Sequence, residues 1–98
     1  TLATNKWYYI AWTWQGTTQK VYARTIGDSS FTTATTTSFG EHNGGTSNDT
    51  FDIGDNGTGG SASHILDGAI ACLRIYTKRL TEAEINQNFN AQKSRFGL

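Results

Sequence analysis

A more apolar and a less apolar set of side chains alternate with a period of two near the start of the chain, over residues 6 to 14. The even-numbered set is larger and more apolar, and consists of Tyr8, Ile10, Trp12 and Trp14. Because side chains of an extended strand point alternately to its two faces, this pattern predicts a half-buried β-strand whose even-numbered face lies in the core. The short polar segment 15–18 then predicts a turn into a second strand over residues 19–26.

Three further segments have strand character. Five of the nine residues 30–38 are threonine, which is typical of an exposed or edge strand because β-branched side chains fit a pleated, half-wet surface. Residues 51–54 predict a short buried strand. Residues 65–77 carry apolar side chains on both faces, with Leu73 and Ile75 on one of them, and this predicts a central strand that is partly covered on each side.

The end of the chain predicts one short helix, over about residues 81–92. Thr81 is suited to the N-cap position, and Glu84, three residues later, completes a capping box. Leu80 before the cap and Ile85 at the fourth helical position form the matching hydrophobic staple. A helix this short, with one narrow apolar stripe, is not stable alone, so we expect it to dock on the sheet.

Composition and charge narrow the class of protein. The 98 residues are 36% hydrophobic and 16% charged, with 11 glycines and no proline, which favours one small, β-rich domain. The single cysteine, Cys72, lies in the apolar run 70–73 and is predicted to be a small buried hydrophobe. The formal net charge is zero and no segment has the apolar length of a membrane span. We therefore expect neither nucleic-acid binding nor membrane insertion.

Short motifs in a fixed order resemble the laminin-G-like, concanavalin A-like jelly-roll domains. The motif that precedes and opens the helix is matched by Asp67, Gly68, Ile70, Arg74, Ile75, Tyr76, Arg79, Leu80, Thr81, Glu84 and Ile85. Earlier in the chain, residues 7–14, 20–23 and 51–54 resemble three strands of the same family. The ending, residues 85–91 with Arg95 to Gly97, is most similar to versions of the domain in bacteriophage virion proteins.

The resemblance and the strand pattern together predict an all-β fold: a two-sheet antiparallel jelly-roll sandwich with one short C-terminal helix, as a single domain over residues 1–98. Domains of this family are usually longer, and the chain begins at Thr1 and contains no methionine. We therefore expect an incomplete or excised part of a longer chain. The missing strands would come either from upstream residues or from a neighbouring chain. Alternatively, the chain is a reduced version of the fold that lacks them.

Catalytic signals are weak. Glycosidases on the related fold carry closely spaced carboxylates on one strand, and this chain has no such run. The nearest pair, Glu82 and Glu84, belongs to a helix start, where negative charge is favoured by the helix dipole. His42 and His64 lie in separate polar segments with no nucleophile nearby. The expectation is a protein without enzyme activity.

One acidic cluster is a candidate metal site. Asp49, Asp52 and Asp55 alternate with glycine and threonine, and Ca²⁺ prefers oxygen ligands from flexible loops. The resemblance also implies Ca²⁺ at the rim of the sandwich. The spacing matches no defined calcium loop, however, and Asp52 falls inside a predicted strand. A solvated loop is therefore favoured, with Ca²⁺ as the alternative, and no other cofactor is expected.

Aromatic side chains could form a platform for sugars. Trp7 and Tyr9 share the less apolar face of the first strand, and Trp14 ends at a turn. Sugar C–H faces stack on such rings, while loop side chains supply hydrogen bonds. Core packing is the alternative, and it is favoured for Trp12.

By resemblance, the predicted function is a non-catalytic structural or adhesion domain on a virion surface or outside the cell, which contacts a host-surface glycan. A first alternative is a purely structural assembly or decoration subunit, completed by neighbouring chains of a homo-oligomer. A second is a carbohydrate-binding module of a secreted bacterial protein.

Overall fold

A computed structural model describes residues 2–38, 53–54 and 66–97. The chain divides into two compact units, one of residues 1–41 and 76–98 and the other of residues 42–75. All the regular elements described belong to the first unit: β1 (Tyr8–Gln15), β2 (Thr18–Thr25), β3 (Thr32–Thr36), α1 (Glu82–Gln92) and a 3₁₀ turn (Lys93–Phe96). The strands form one antiparallel sheet in the order β1-β2-β3. The predicted hairpin, exposed third strand and C-terminal helix are confirmed.

A two-residue turn sets the register of the β1–β2 hairpin. Gly16 has a φ of +55°, and it occupies the first of the two central positions, the place that glycine takes in a type II′ hairpin turn. Pairing then runs without interruption from Gln15 opposite Thr18 to Tyr8 opposite Thr25. Since opposite residues of an antiparallel pair share a face, this register fixes both faces of the sheet.

We call the two sides of the sheet the helix face and the open face. The helix face carries Tyr9, Ala11, Thr13, Lys20, Tyr22, Arg24, Thr33 and Thr35. The open face carries Tyr8, Ile10, Trp12, Trp14, Gln19, Val21, Ala23, Thr25, Thr32, Ala34 and Thr36. The two sets alternate along every strand, as the period of two requires.

The core of the described residues lies between α1 and the helix face. Ile85, Phe89 and Tyr22 are 0%, 2% and 4% exposed. The Phe89 ring packs edge-on against Tyr9, with centroids 5.6 Å apart, and against Phe31, at 5.7 Å. Edge-to-face contacts of this kind add to the free energy gained by burying the rings. The helix therefore docks as predicted.

The prediction that the even-numbered face of β1 lies in the core is wrong for the described residues. Ile10, Trp12 and Trp14 are 53%, 47% and 51% exposed, whereas Thr13 on the helix face is buried. Alternation determines which residues share a face, but a partner element decides which face is covered. Here Ile85 and Phe89 of α1 are buried against the helix face, where Phe89 packs on Tyr9.

The second unit departs further from expectation. Residues 66–75 have no regular secondary structure, so the predicted central strand over residues 65–77 is wrong for the part described. Ile75 is 66% exposed, and Cys72 is exposed rather than buried. A strand needs a ladder partner to satisfy its backbone groups, and none of the described residues provides one. A single three-stranded sheet is present in the described ranges, without the second sheet of a jelly roll.

The predicted short strand 51–54 is described only at its end. Phe51 and Asp52 lie outside the described residues. Ile53 and Gly54 form a bend, and the Gly54 carbonyl accepts a hydrogen bond from the Leu66 amide at 2.7 Å.

Candidate functional site

A polar groove lies where the turn end of the β1–β2 hairpin meets the start of α1. Its volume is about 550 Å³, and it is open to solvent on one side. It is lined by Gln15, Lys20, Tyr22, Arg79, Leu80, Thr81 and Glu82. The hairpin therefore supplies one wall and the segment that enters the helix supplies the other.

The helix wall of the groove is ordered by local contacts. The Thr81 side chain accepts a hydrogen bond from the Glu84 amide at 3.2 Å, and the Glu84 carboxylate accepts one from the Thr81 amide at 2.8 Å. These are the two halves of the predicted capping box. The two residues of the predicted staple differ in burial, because Ile85 is fully buried and Leu80 is half-buried.

A lysine strengthens the same cap. Lys78 Nζ donates to the Glu84 carboxylate at 2.6 Å. This hydrogen bond, together with the one from the Thr81 backbone, lowers the pKa of Glu84 below the usual glutamate value. Glu84 is therefore ionised at neutral pH, and its carboxylate is hydrogen-bonded within the helix start.

Two contacts connect the walls of the groove. Arg79 Nη1 donates to Gln15 Oε1 at 2.9 Å, and Lys20 Nζ donates to Glu82 Oε2 at 3.3 Å. Lys20 Nζ also lies 4.8 Å from the centroid of the Tyr22 ring. The groove thus presents an ammonium and a guanidinium group as donors, and an amide oxygen and a carboxylate as acceptors.

The helix is also fastened to the sheet beside the core aromatics. The Arg24 guanidinium donates two hydrogen bonds to the Asp28 carbonyl, at 3.1 and 3.0 Å, and one to Asn86 Oδ1 at 3.2 Å. The Arg24 Cζ atom lies 4.4 Å from the centroid of the Phe89 ring. This side chain links β2, the turn after it and α1, so the two walls of the groove cannot separate without breaking its contacts.

The carboxylates of the groove can be compared with those that glycoside hydrolysis uses. Glycoside hydrolysis commonly uses two carboxyl groups about 5–9.5 Å apart on either side of the bond. Among the described residues, Glu82 is the one carboxylate that lines the groove, and it is paired with Lys20. Within the described ranges no cluster of three histidine, cysteine, aspartate or glutamate residues could hold a metal ion.

The aromatic residues predicted to bind glycan do not meet in one place. Trp7 is about half exposed, and its ring lies 6.2 Å from that of Phe96. Tyr9 lies on the helix face, packed against Phe89 and Phe31. Trp14 is on the open face, 5.2 Å from Trp12. Glycan binding by any of these residues stays a prediction.

The candidate calcium ligands Asp49, Asp52 and Asp55 all lie outside the described residues. The structure therefore leaves the hypothesis of a Ca²⁺ site untested. It stays an alternative to a solvated loop.

The groove residues Gln15, Lys20, Arg79 and Glu82 were not singled out as binding residues by sequence reasoning. Each looks like an ordinary turn, strand or helix-start residue, and Gln15 is 64 positions away from Arg79. The available signal was that a polar hairpin turn and a capped helix start both carry hydrogen-bonding side chains. Only the tertiary fold shows that these two segments are adjacent.

Comparison with known proteins gives one match. The laminin G 3 family model, described as the concanavalin A-like lectin/glucanases superfamily, matches residues 1–86. Searches of curated proteins and of solved structures each found no match. No helix in the described part of the chain is long and apolar enough to cross a membrane. Because the family model covers most of the sequence, this chain belongs to the concanavalin A-like lectin/glucanase superfamily.

Proposed function

We propose that this chain is a non-catalytic carbohydrate-binding domain on the surface of a virion, where it contacts a host-surface glycan through the polar groove. Membership of a superfamily of lectins and glucanases supports carbohydrate as the ligand class. The virion setting rests on the resemblance of residues 85–97 to bacteriophage versions of the domain. Immunolabelling of purified virus particles with an antibody against this chain tests the virion setting. We expect the antibody to label the particle surface.

The lining of the groove is the observation on which the glycan proposal rests. Sugar hydroxyl groups both donate and accept hydrogen bonds, and the groove offers both kinds of partner within one concave surface. Arg79 and Gln15 hold each other in place through their 2.9 Å hydrogen bond. Side chains that are oriented before binding lose less conformational entropy when a ligand arrives.

The state of the two helix-start glutamates supports binding without catalysis. A general acid in glycoside hydrolysis needs a raised pKa so that it carries a proton near neutral pH. The pKa of Glu84 is lowered instead, first by the hydrogen bond from Lys78. Glu82 is held by Lys20 at 3.3 Å.

A glycan array probed with the whole 98-residue chain tests the proposal. We expect defined hits, and we expect Arg79→Ala to weaken them at least about tenfold, because a charged donor that its hydrogen bond to Gln15 holds in the groove is lost. Arg95→Ala is the matched control, since Arg95 is an exposed arginine whose guanidinium stacks on Phe96 away from the groove.

Two outcomes would count against this function. An array without hits for the wild-type chain contradicts carbohydrate binding itself. Hits that survive Arg79→Ala but vanish with Trp7→Ala or Trp14→Ala would move the site from the groove to the aromatic residues.

A structural role without ligand is a second candidate function. It is favoured by the exposed apolar open face, which a neighbouring chain of an assembly could cover.

A further inference from the structure

Tyr22 lines the groove although it is almost completely buried. It is 4% exposed, and its ring packs edge-on against Phe31, with centroids 6.0 Å apart. Among the described residues, no group donates a hydrogen bond to the Tyr22 hydroxyl or accepts one from it. Every fully buried polar side-chain atom in the described ranges has a partner, so this oxygen keeps a small contact with solvent, on the side where Tyr22 lines the groove. The hydroxyl is therefore available to a ligand.

A tyrosine hydroxyl surrounded by protein usually has a hydrogen-bond partner. Phenylalanine would fill the same space against Phe31 without placing a polar atom there. In a concave site, a few polar groups among mostly buried side chains fix the orientation of a ligand. The Tyr22 hydroxyl has this position, because its ring belongs to the core and its residue lines the groove.

Arg79 adds a positive charge that no acidic group of the described residues neutralises. Neither of the ion pairs in that part of the chain includes it. Its Nη1 group donates to the neutral Gln15 amide, while Nε and Nη2, which form one edge of the guanidinium group, have no partner among the described residues. Lys20 and Glu82 balance each other, so the groove lining carries an excess of one positive charge.

A carboxylate matches these available donors. One edge of a guanidinium group donates two parallel hydrogen bonds to the two oxygens of a carboxylate, and such bonds are about twice as strong as neutral ones. A phenol hydroxyl can donate one more. We propose that the glycan bound in the groove is an acidic sugar whose carboxylate is held by Arg79 and the Tyr22 hydroxyl. This inference rests on the proposed glycan binding and names the chemical class of the sugar.

Lys20 makes the groove compatible with an anion. Its ammonium group donates to the Glu82 carboxylate at 3.3 Å and lies 4.8 Å from the centroid of the Tyr22 ring. The negative charge of Glu82 is thereby balanced within the groove, and its repulsion of an acidic ligand is reduced. A neutral sugar would instead leave the charge of Arg79 without a counterpart.

An array of acidic glycans, each printed beside its methyl ester, tests the inference with the whole 98-residue chain. Uronic acids and N-acetylneuraminic acid supply the carboxylates, and the ester removes the charge while it keeps the sugar. We expect the free acid of the strongest hit to bind at least about tenfold more tightly than its ester.

Arg79→Gln and Tyr22→Phe assign the contacts. Arg79→Gln keeps an amide donor but removes the charge, and should reduce the preference for the acid to below about threefold. Arg95→Gln is its control, since Arg95 lies on Phe96 away from the groove. Arg79 is exposed, so this variant remains informative if Tyr22→Phe does not fold.

Tyr22→Phe removes one oxygen and keeps the ring, and should weaken binding of the acid about fivefold and of the ester less. Tyr8→Phe is the matched control, because the Tyr8 hydroxyl accepts from the Ala3 amide at the other end of β1. It should change binding less than about twofold.

The outcomes separate this inference from the function on which it rests. Hits confined to neutral glycans, or equal binding of acids and esters, would overturn the acidic sugar and support glycan binding itself. An array without any hit would overturn both. Equal weakening of acid and ester by Tyr22→Phe would show that the hydroxyl contacts another part of the sugar, and would overturn its assignment to the carboxylate.

Discussion

At the scale of single residues, Glu84 has two partners that keep it ionised. Its carboxylate accepts a hydrogen bond from the Thr81 amide and another from Lys78 Nζ. Both contacts favour the charged form, and this lowers the pKa of Glu84 in the folded chain. Folding is therefore coupled to the ionisation of this side chain.

The pH dependence of stability follows from that coupling. A carboxyl group whose pKa is lower in the folded than in the unfolded chain contributes stability above its unfolded pKa and loses it as the pH falls through the folded pKa. For Glu84 we expect this contribution at neutral pH and its loss in acid. Thermal unfolding of wild type and Glu84→Gln between about pH 7 and pH 3 measures it.

The two melting curves should differ most near neutral pH and converge in acid, because the wild-type side chain is then protonated as well. Glu82→Gln serves as the control within the same helical turn. A constant difference between wild type and Glu84→Gln across the whole range would contradict the assignment.

At the scale of elements, α1 depends on the sheet for its stability. It has 11 residues, one capped end and two buried side chains, Ile85 and Phe89. A helix of this length is marginal in water, so most of its stability comes from packing. The Phe89 ring contacts the rings of Tyr9 and Phe31 and the Arg24 guanidinium.

Removing one methyl group from the helix–sheet contact should be measurable. Ile85 is fully buried, so we expect Ile85→Val to lower the free energy of unfolding by about 1 kcal/mol, through lost burial and an incompletely filled cavity. Ile26→Val removes the same group from an exposed position and should cost less than about 0.5 kcal/mol. Equilibrium denaturation in urea compares them, and equal losses would show that Ile85 is not a packing contact.

The helix start and the hairpin were predictable because their signals are local. Thr81 and Glu84 are three residues apart, and their capping box needs no tertiary contact. The turn at Gly16 likewise joins neighbouring strands. Such elements are specified by short stretches of sequence, and this is why their types and approximate ends were foreseen.

At the scale of the whole molecule, the distribution of apolar surface was not predictable in the same way. Both faces of β1 carry large side chains, and the choice of the Tyr9 face depends on Phe89, which is distant in sequence. The groove depends on the Gln15–Arg79 contact across a similar distance. The strand predicted over residues 65–77 failed because periodicity gives apolar faces without showing whether a ladder partner exists.

The uninterrupted register of the hairpin has a consequence for how the gene can change. Adding or deleting one codon early in β1 reverses the face of every later position in the strand, so Trp12 and Trp14 would turn toward α1 and Ala11 and Thr13 away from it. A change of two codons preserves parity and shifts the strand by a single pleat. Replacing one aromatic side chain by another on the same face of the strand disturbs the packing less. The length of β1 is therefore more constrained than the identity of its residues.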